Sequence, residues 1–381
     1  MDLRTCHCRN KRCAGCGQMG VEATVRHWGS DCREPRLRCE RCGWIYEARD
    51  ATAYVGIRTD LRIYELGAKL LAEGMSIRAT ARVLGVDKDT VCNWLCQLGE
   101  HCTRVAAYHF RHLHLTECQL DELWTFVHKK EARLTPLEQM LGVYGDTWVW
   151  IAFAPLSKIV PVWVAGKRTL RTGRLLVKRL KNRLDTHIPF FTSDDLPHYA
   201  DALLEVYGET IQPPRTGKRG RPRQPYKVPP ADLLYAVVCK RREGSRVVEV
   251  TTEVVYGSPE RIAELLQHSS TSHTISTYGV ERNNLTVRQH ARRLGRKVNA
   301  FSKDATYLEQ QLALSFAYYH FVIPHRSLRQ RLACPLPTKG GKGSYKKWKS
   351  VTPAMAAGLT DHLWTMDELL SFRVPPKSLW L

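Results

Sequence analysis

Acidic residues are scarce in this chain. Its 381 residues hold 37 Asp and Glu against 58 Lys and Arg, a formal net charge of +21. Such an excess needs an anionic partner, either nucleic acid or an anionic membrane surface. Long apolar runs are also missing: none reaches the roughly 18 residues that a membrane span needs. The N-terminal MDLRTCHCRNKRC has no apolar stretch of the signal-peptide kind, and no internal repeat is visible. These absences set membranes and secretion aside and leave nucleic acid. The rest of the composition, 43% hydrophobic and 25% charged, is that of a globular protein. The length allows two or three domains.

Cysteine is plentiful and unevenly placed. Of 13 cysteines, seven (Cys6, Cys8, Cys13, Cys16, Cys32, Cys39, Cys42) crowd the N-terminus. A secreted disulfide framework spreads and pairs its cysteines. Here Cys13-Ala-Gly-Cys16 and Cys39-Glu-Arg-Cys42 are two CxxC knuckles, each followed by a glycine, Gly17 or Gly43. Two thiolates three apart on a tight turn grip one tetrahedral ion, and two such turns complete a four-sulfur shell. The spacing predicts structural Zn²⁺ on Cys13, Cys16, Cys39 and Cys42. It leaves Cys6, His7, Cys8 and Cys32 open as a second site, alternative ligands or bystanders. The scattered cysteines further on read as small buried hydrophobes.

Residues 60–102 read as helices. In SIRATARVLGVDKDTVCNWLCQLG, Ser76 and Asp87 are candidate helix caps. Ala81 permits a close crossing, Gly85 supplies a left-handed turn, and Val91, Trp94 and Leu95 supply a core. This is a helix-turn-helix pattern, in which the second helix lies in the major groove of DNA. Lys88 is placed for a phosphate, Asn93 for an adenine edge, and Thr90 lies between them.

Beyond residue 112, runs rich in Val, Ile, Trp, Phe and Thr predict strands at about 114–127, 147–154, 158–165 and 188–193. Helices are expected at about 169–184, 196–207, 279–295 and 304–321. LLYAVVCK and RVVEVTTEVVYG around RREGS read as a hairpin. The order is that of an α/β domain on a mixed sheet. Three acids stand in telling places. Asp121 lies inside an apolar strand, where burial is costly without a partner or a metal. Asp194 ends the run IPFFTSD, and Glu281 begins a basic helix. Alternation along the strand aims Glu122 at the sheet face opposite Asp121. Asp121, Asp194 and Glu281 together make an oxygen-rich site suited to Mg²⁺ or Mn²⁺. Two such ions roughly 4 Å apart serve an in-line displacement at phosphorus. Arg282, Arg288, Arg292 and Arg293 are placed to hold the anionic chain.

At DELWTFV, TSDDLPHYADAL and VERNNLTVRQHARRLGRKVNAFSK the chain resembles the DDE transposases of bacterial insertion sequences, in particular the IS one-like family. The resemblance runs from the cysteine knuckles to about residue 330. It implies an RNase H-like core with a mixed five-stranded sheet and flanking helices. It also implies recognition of terminal inverted repeats, and supporting roles for Asn284 and Arg288. Where the family commonly has glycine after the second aspartate, this chain has Asp195; Asp194 closes the strand and is the better match. YYHF, with His320, stands where related enzymes often carry YYNF, and its histidine reads as packed.

Residues 215–223, RTGKRGRPR, resemble an AT-hook, with Arg219 and Arg221 in a short extended segment for the minor groove; a solvated basic linker is the alternative. The tail, with Lys339 to Lys347, offers non-specific phosphate contacts. The expected organisation is a zinc-binding module at 1–55, a helix-turn-helix domain at 56–110, a catalytic domain at 111–330 with a basic insertion at about 209–257, and a tail at 331–381. The expected function is metal-dependent cleavage and transfer of DNA strands by a homodimer or larger oligomer acting on transposon ends and target DNA. Its expected place is the bacterial cytoplasm, associated with the nucleoid. A sequence-specific DNA-binding regulator and an RNase H-fold nuclease are the alternatives.

Overall fold

A computed structural model of the chain describes residues 3, 6–18, 25–31, 34–214, 223–244, 246–295, 298–337 and 344–375. They fall into two compact units. One comprises Met1–His109, Glu309–Pro324 and His362–Leu381, the other Phe110–Leu308 and His325–Asp361. The cysteine-rich and helix-turn-helix segments therefore share a unit, together with pieces of the chain expected in the catalytic domain and the tail. Among the described residues, no helix is long and apolar enough to cross a membrane.

In the first unit, β1 (Val25–Asp31), β2 (Glu34–Cys39) and β3 (Ile45–Glu47) form an antiparallel sheet. Val25, Leu37, Tyr46, Ala48 and Cys6 close a small core on it. Three helices follow: α1 (Leu61–Ala72), α2 (Ile77–Leu84) and α3 (Lys88–His109). The caps fall where the sequence puts them. Ser76 Oγ accepts from Ala79 N at 3.2 Å, and Asp87 Oδ1 accepts from Asp89 N at 2.7 Å. Gly85 ends α2 at φ 66°, the left-handed conformation that favours glycine. Val91, Trp94 and Leu95 are buried on α3. Gly67 on α1 is the crossing point, since a Cβ there would lie 2.9 Å from the Trp94 ring. The Glu309-to-Ala317 part of α9 (Ala305–Ala317) packs in this unit, where buried Gln311 donates to Leu71 O at 3.0 Å. The expected helix at 304–321 relaxes into a π-helical turn over Tyr318–Val322, with His320 buried and stacked on Phe316.

The second unit is built on a six-stranded mixed sheet in the order β11-β10-β7-β4-β5-β6. The strands are β4 (Glu117–Val127), β5 (Gly145–Phe153), β6 (Val162–Gly166), β7 (Phe190–Asp194), β10 (Tyr235–Glu243) and β11 (Arg246–Tyr256). Pairing is parallel between β4 and β7 and between β7 and β10, and antiparallel elsewhere. α4 (Pro136–Leu141) lies in the β4–β5 connection; α5 (Leu170–Lys181) and α6 (Pro197–Tyr207) flank β7 in sequence. β8 (Glu209–Ile211) and β9 (Tyr226–Val228) form a separate pair, followed in the chain by α7 (Pro259–His268) and α8 (Tyr278–His290). β12 (Gln330–Leu336) pairs with β13 (Lys346–Lys349), and α10 (Pro353–Ala356) follows; α11 (Met366–Ser371) belongs to the first unit. This mixed sheet with flanking helices is an RNase H-like core.

Two expectations are corrected. The sheet has six strands rather than five, because the hairpin turning at Gly244 (φ 61°) adds β11 as an outer edge that is exposed over most of its length. The stretch 209–257 is not simply an insertion. β10 pairs with β7 from Tyr235↔Phe191 to Val238↔Asp194, and its Tyr235 and Ala236 are buried, so it belongs to the core.

The Gly67 crossing yields a prediction. Gly67→Val forces the Trp94 ring aside and should lower stability by about 1–3 kcal/mol, as overpacked cores do. Urea unfolding would read this as a lower midpoint at unchanged slope; an unmoved midpoint would mean the helices part freely at that point.

Candidate metal centres and nucleic-acid interface

The first centre is at the N-terminus. Sulfur atoms of Cys8, Cys13, Cys39 and Cys42 lie within 4.8 Å of one another. Cys8 to Cys42 is 3.5 Å and Cys13 to Cys39 is 3.9 Å. A tetrahedral Zn²⁺ with bonds of about 2.3 Å needs sulfurs roughly 3.8 Å apart, so the set fits the ion. It is a four-cysteine zinc-binding cluster. Gly17 and Gly43 have φ of 73° and 70°, as the knuckle turns require. The backbone N–H of Trp44 holds the Cys42 thiol down to about 7, which favours the thiolate that a metal binds.

The membership differs from the expectation. Cys8 stands in the group and Cys16 does not. The reason is local: Cys8 bridges to Cys16 along the backbone and Gly17 N–H donates to Cys8 O at 3.3 Å, which folds the chain before the knuckle back over it. Cys16 stays adjacent and buried, and its thiol is pushed up by burial and further by the charge of Cys42. His7 is buried, and its Nδ1 accepts from Gly17 N–H at 3.2 Å; Cys6 packs in the β-sheet core. Cys32 lies outside the described residues.

On α3, Lys88 and Asn93 are exposed and Thr90 is half-buried, so the first turns present polar groups outward. Lys88 pairs with Asp89 at 2.7 Å. Arg219 and Arg221 lie outside the described residues.

The second centre follows from strand lengths. β7 ends at Asp194, while β4 and β10 on either side of it run on. Leu120 pairs with Ser193, so Asp121 lies just where the β7 neighbour gives out. A notch opens between β4 and β10 with Asp194 at its base. Asp121 and Glu122 do face opposite ways. Gln119, on the face of Asp121, accepts from Val280 N of α8, whereas Glu122 accepts from Tyr199 of α6. Opposite faces do not, however, keep Glu122 out of the site that Asp121 lines. At the notch no strand separates the two faces, and carboxylate oxygens of Asp121, Glu122 and Asp194 lie within 4.8 Å of one another.

These acids are held by named partners. Asn284 Nδ2 donates to Asp121 Oδ2 at 2.6 Å. Arg168 donates to Glu122 Oε1 through Nε (2.9 Å) and Nη2 (2.5 Å), and Tyr199 donates to Oε2 at 3.0 Å. Arg168 also stacks on Trp148, 4.8 Å from the ring centre. Asp194 Oδ1 and Asn284 Oδ1 are buried without a hydrogen-bond partner among the described residues. Burial pushes the Asp121 carboxyl up to about 7 and Asp194 up to about 6, with neighbouring carboxylates adding to both. At an effective dielectric of about 20, two carboxylate charges at that spacing repel by roughly 3–4 kcal/mol. Crowded acids with orphaned oxygens are what a divalent cation relieves, so the donor set fits one.

Glu281 sits in the first turn of α8 and lines the same cleft, of about 680 Å³, but its carboxylate is not among the three gathered acids. It accepts from Lys240 and, at 2.7 Å, from Thr277 Oγ1. Burial pushes this carboxyl up, but the two hydrogen bonds outweigh that and hold it below its ordinary value. Arg282, Asn284 and Arg288 line the cleft with Arg168, Lys240 and Arg242. Arg292, exposed in a short turn past α8, is not among the lining residues. Sequence reasoning missed Glu122, Arg168, Lys240 and Arg242. The DE pair at 121–122 was a signal for the first; nothing local announces the others, which arrive from separate strands and turns.

Two outcomes follow. Cys8→Ser should lower bound zinc well below one per chain while Cys16→Ser keeps it near one, measured by atomic absorption; the reverse pattern would restore the CxxC assignment. In the acidic centre a cation competes with protons. Raised folded pKa values mean that the neutral forms suit the fold without a cation, so stability is lost as pH rises from about 4 through about 7. A bound divalent ion offsets that loss. Thermal stabilisation by Mg²⁺ should therefore grow between about pH 5 and pH 8, and a pH-independent increment would exclude Asp121 as a ligand.

A model of the Homeodomain-like domain matches residues 65–103, from within α1 through most of α3. Comparison with curated protein sequences gives no match. Zinc cluster, helix-turn-helix, RNase H-like core and acidic centre together describe a nucleic-acid-binding protein of the metal-dependent nuclease kind.

Proposed function

We propose that this chain is a DDE transposase of an insertion sequence. It binds the terminal inverted repeats of its element and catalyses strand cleavage followed by strand transfer. The observation that carries this reading is the one cleft lined by Asp121, Asp194 and Glu281 together with arginines and a lysine. A pure binder gains nothing from crowding buried carboxylates at a cost of several kcal/mol.

Asp121 and Asp194 would hold a divalent cation, Mg²⁺ or Mn²⁺, and Glu281, paired with Lys240 in this structure, would complete the set. Cations held there supply the Lewis acidity for displacement at phosphorus, first by water and then by a DNA 3′-hydroxyl. The protein's own groups do the positioning. Asn284 fixes the rotamer of Asp121, and Arg168 with Tyr199 fixes Glu122. Arg282, Arg288 and Arg242 are placed to hold the phosphate chain, because guanidinium matches phosphate geometry bidentately. The first turns of α3 read bases, and the zinc cluster supports that docking. Joining two ends calls for at least two copies of the chain.

The test is cleavage and strand transfer on a labelled duplex carrying the ends of the element. Asp121→Asn, Asp194→Asn and Glu281→Gln should each abolish both steps while duplex binding persists. Wild-type binding without cleavage in either Mg²⁺ or Mn²⁺ would make the protein a regulator. Cleavage that survives Asp194→Asn would move the role to Asp195.

A further inference from the structure

The second unit ends in a feature that the catalytic reading leaves unused. Among the described residues β12 and β13 pair only with each other, Gln330 opposite Lys349 and Arg331 opposite Trp348. Opposed residues share a face, so Arg331 and Trp348 lie on one side and Gln330 and Lys349 on the other. Every residue of the two strands is exposed except half-buried Leu332. A two-stranded ribbon with neither face packed is marginal in water. Its base, in contrast, is anchored. His325 N donates to Val351 O at 2.9 Å, and Val351, Thr352 and Ala354 are buried.

The ribbon's charge is of one sign. From residue 325 through 360 the sequence contains no Asp or Glu. Arg329, Arg331, Lys346, Lys347 and Lys349 line it, and Arg329 stacks over Trp348 at 4.3 Å. The root lies near the cleft, since His325 feels the charge of Arg282, a cleft residue, and of Lys158.

We infer that the β12–β13 ribbon is a duplex-DNA arm that lies in the major groove beside the cleft. A two-stranded ribbon matches that groove in width. Lysines on both faces reach the phosphates of both groove walls, and the Arg331–Trp348 face meets base edges. The inference rests on the DNA-binding part of the function proposed above and is independent of its chemistry.

The test uses the full chain on the same end-bearing duplex, with Mg²⁺ withheld so that strands stay intact. Wild type should protect guanine N7 from methylation in two patches, one from α3 and one from the ribbon. Lys346→Gln/Lys347→Gln/Lys349→Gln should erase the second patch, keep the first, and lower the slope of log affinity against log salt by roughly 2–3. Trp348→Ala, which leaves the lysines in place, should thin the second patch at unchanged slope. Unaltered protection and slope in the triple variant would overturn the inference. So would a triple variant whose only change is loss of self-association in sedimentation, because the ribbon would then meet a second copy. DNA that is protected here yet stays uncleaved once Mg²⁺ or Mn²⁺ is added would sink the transposase reading and leave the arm standing.

Discussion

The parallel pairing of β7 with β4 on one side and β10 on the other, and the early end of β7 between them, governs the rest of the second unit. A central strand shorter than its neighbours leaves backbone and side chains of both flanking strands facing a gap. Into that gap come Asp121 and Glu122 from β4, Lys240 and Arg242 from β10, and Asp194 from the strand end itself. Neither face of a continuous sheet could bring these groups together. The helices then close the arrangement from both sides: α8 supplies Asn284 and Glu281, and α6 supplies Tyr199.

The energetic tension of the site follows from the same geometry. Crowding acids in a half-buried notch is unfavourable through desolvation and mutual repulsion, and the protein meets it with two different devices. Glu122 is fully engaged by Arg168 and Tyr199. Asp194 keeps an oxygen without a partner among the described residues. A saturated carboxylate beside an unsaturated one separates roles: the first sets the local field, and the second is free to bind.

Much of this was legible in the residues. Caps at Ser76 and Asp87, the turn at Gly85 and the buried Trp94 follow from local rules, because helix ends and turns are decided by near neighbours. Asp121 and Asp194 could be singled out because an acid within or closing an apolar strand breaks the pattern around it. What stayed hidden depends on distant pairing. Alternation along β4 places Glu122 correctly on its own face, yet says nothing of where β7 stops. The salt bridges of Arg168 and Lys240 join residues far apart in the chain. CxxC spacing favours Cys16 and leaves Cys8 only as an open alternative, because it describes a knuckle, not the segment that folds back onto it. The hairpin of β10 and β11 was seen, but its parallel seat on β7 was not, so a core strand looked like part of an insertion.

The ion pairs of the cleft bear on the order of assembly. An unshielded cluster of carboxylates would repel a phosphate chain until a cation arrived. Here Arg168 and Lys240 already pair with Glu122 and Glu281, and Arg242, Arg282 and Arg288 line the same cleft. A polyanion approaching the cleft therefore meets an electrostatically open door, and its arrival is not conditional on prior metal loading. Two of the cleft acids are thus balanced by the protein's own cations, and the negative charge left for a metal to balance is that of Asp121 and Asp194.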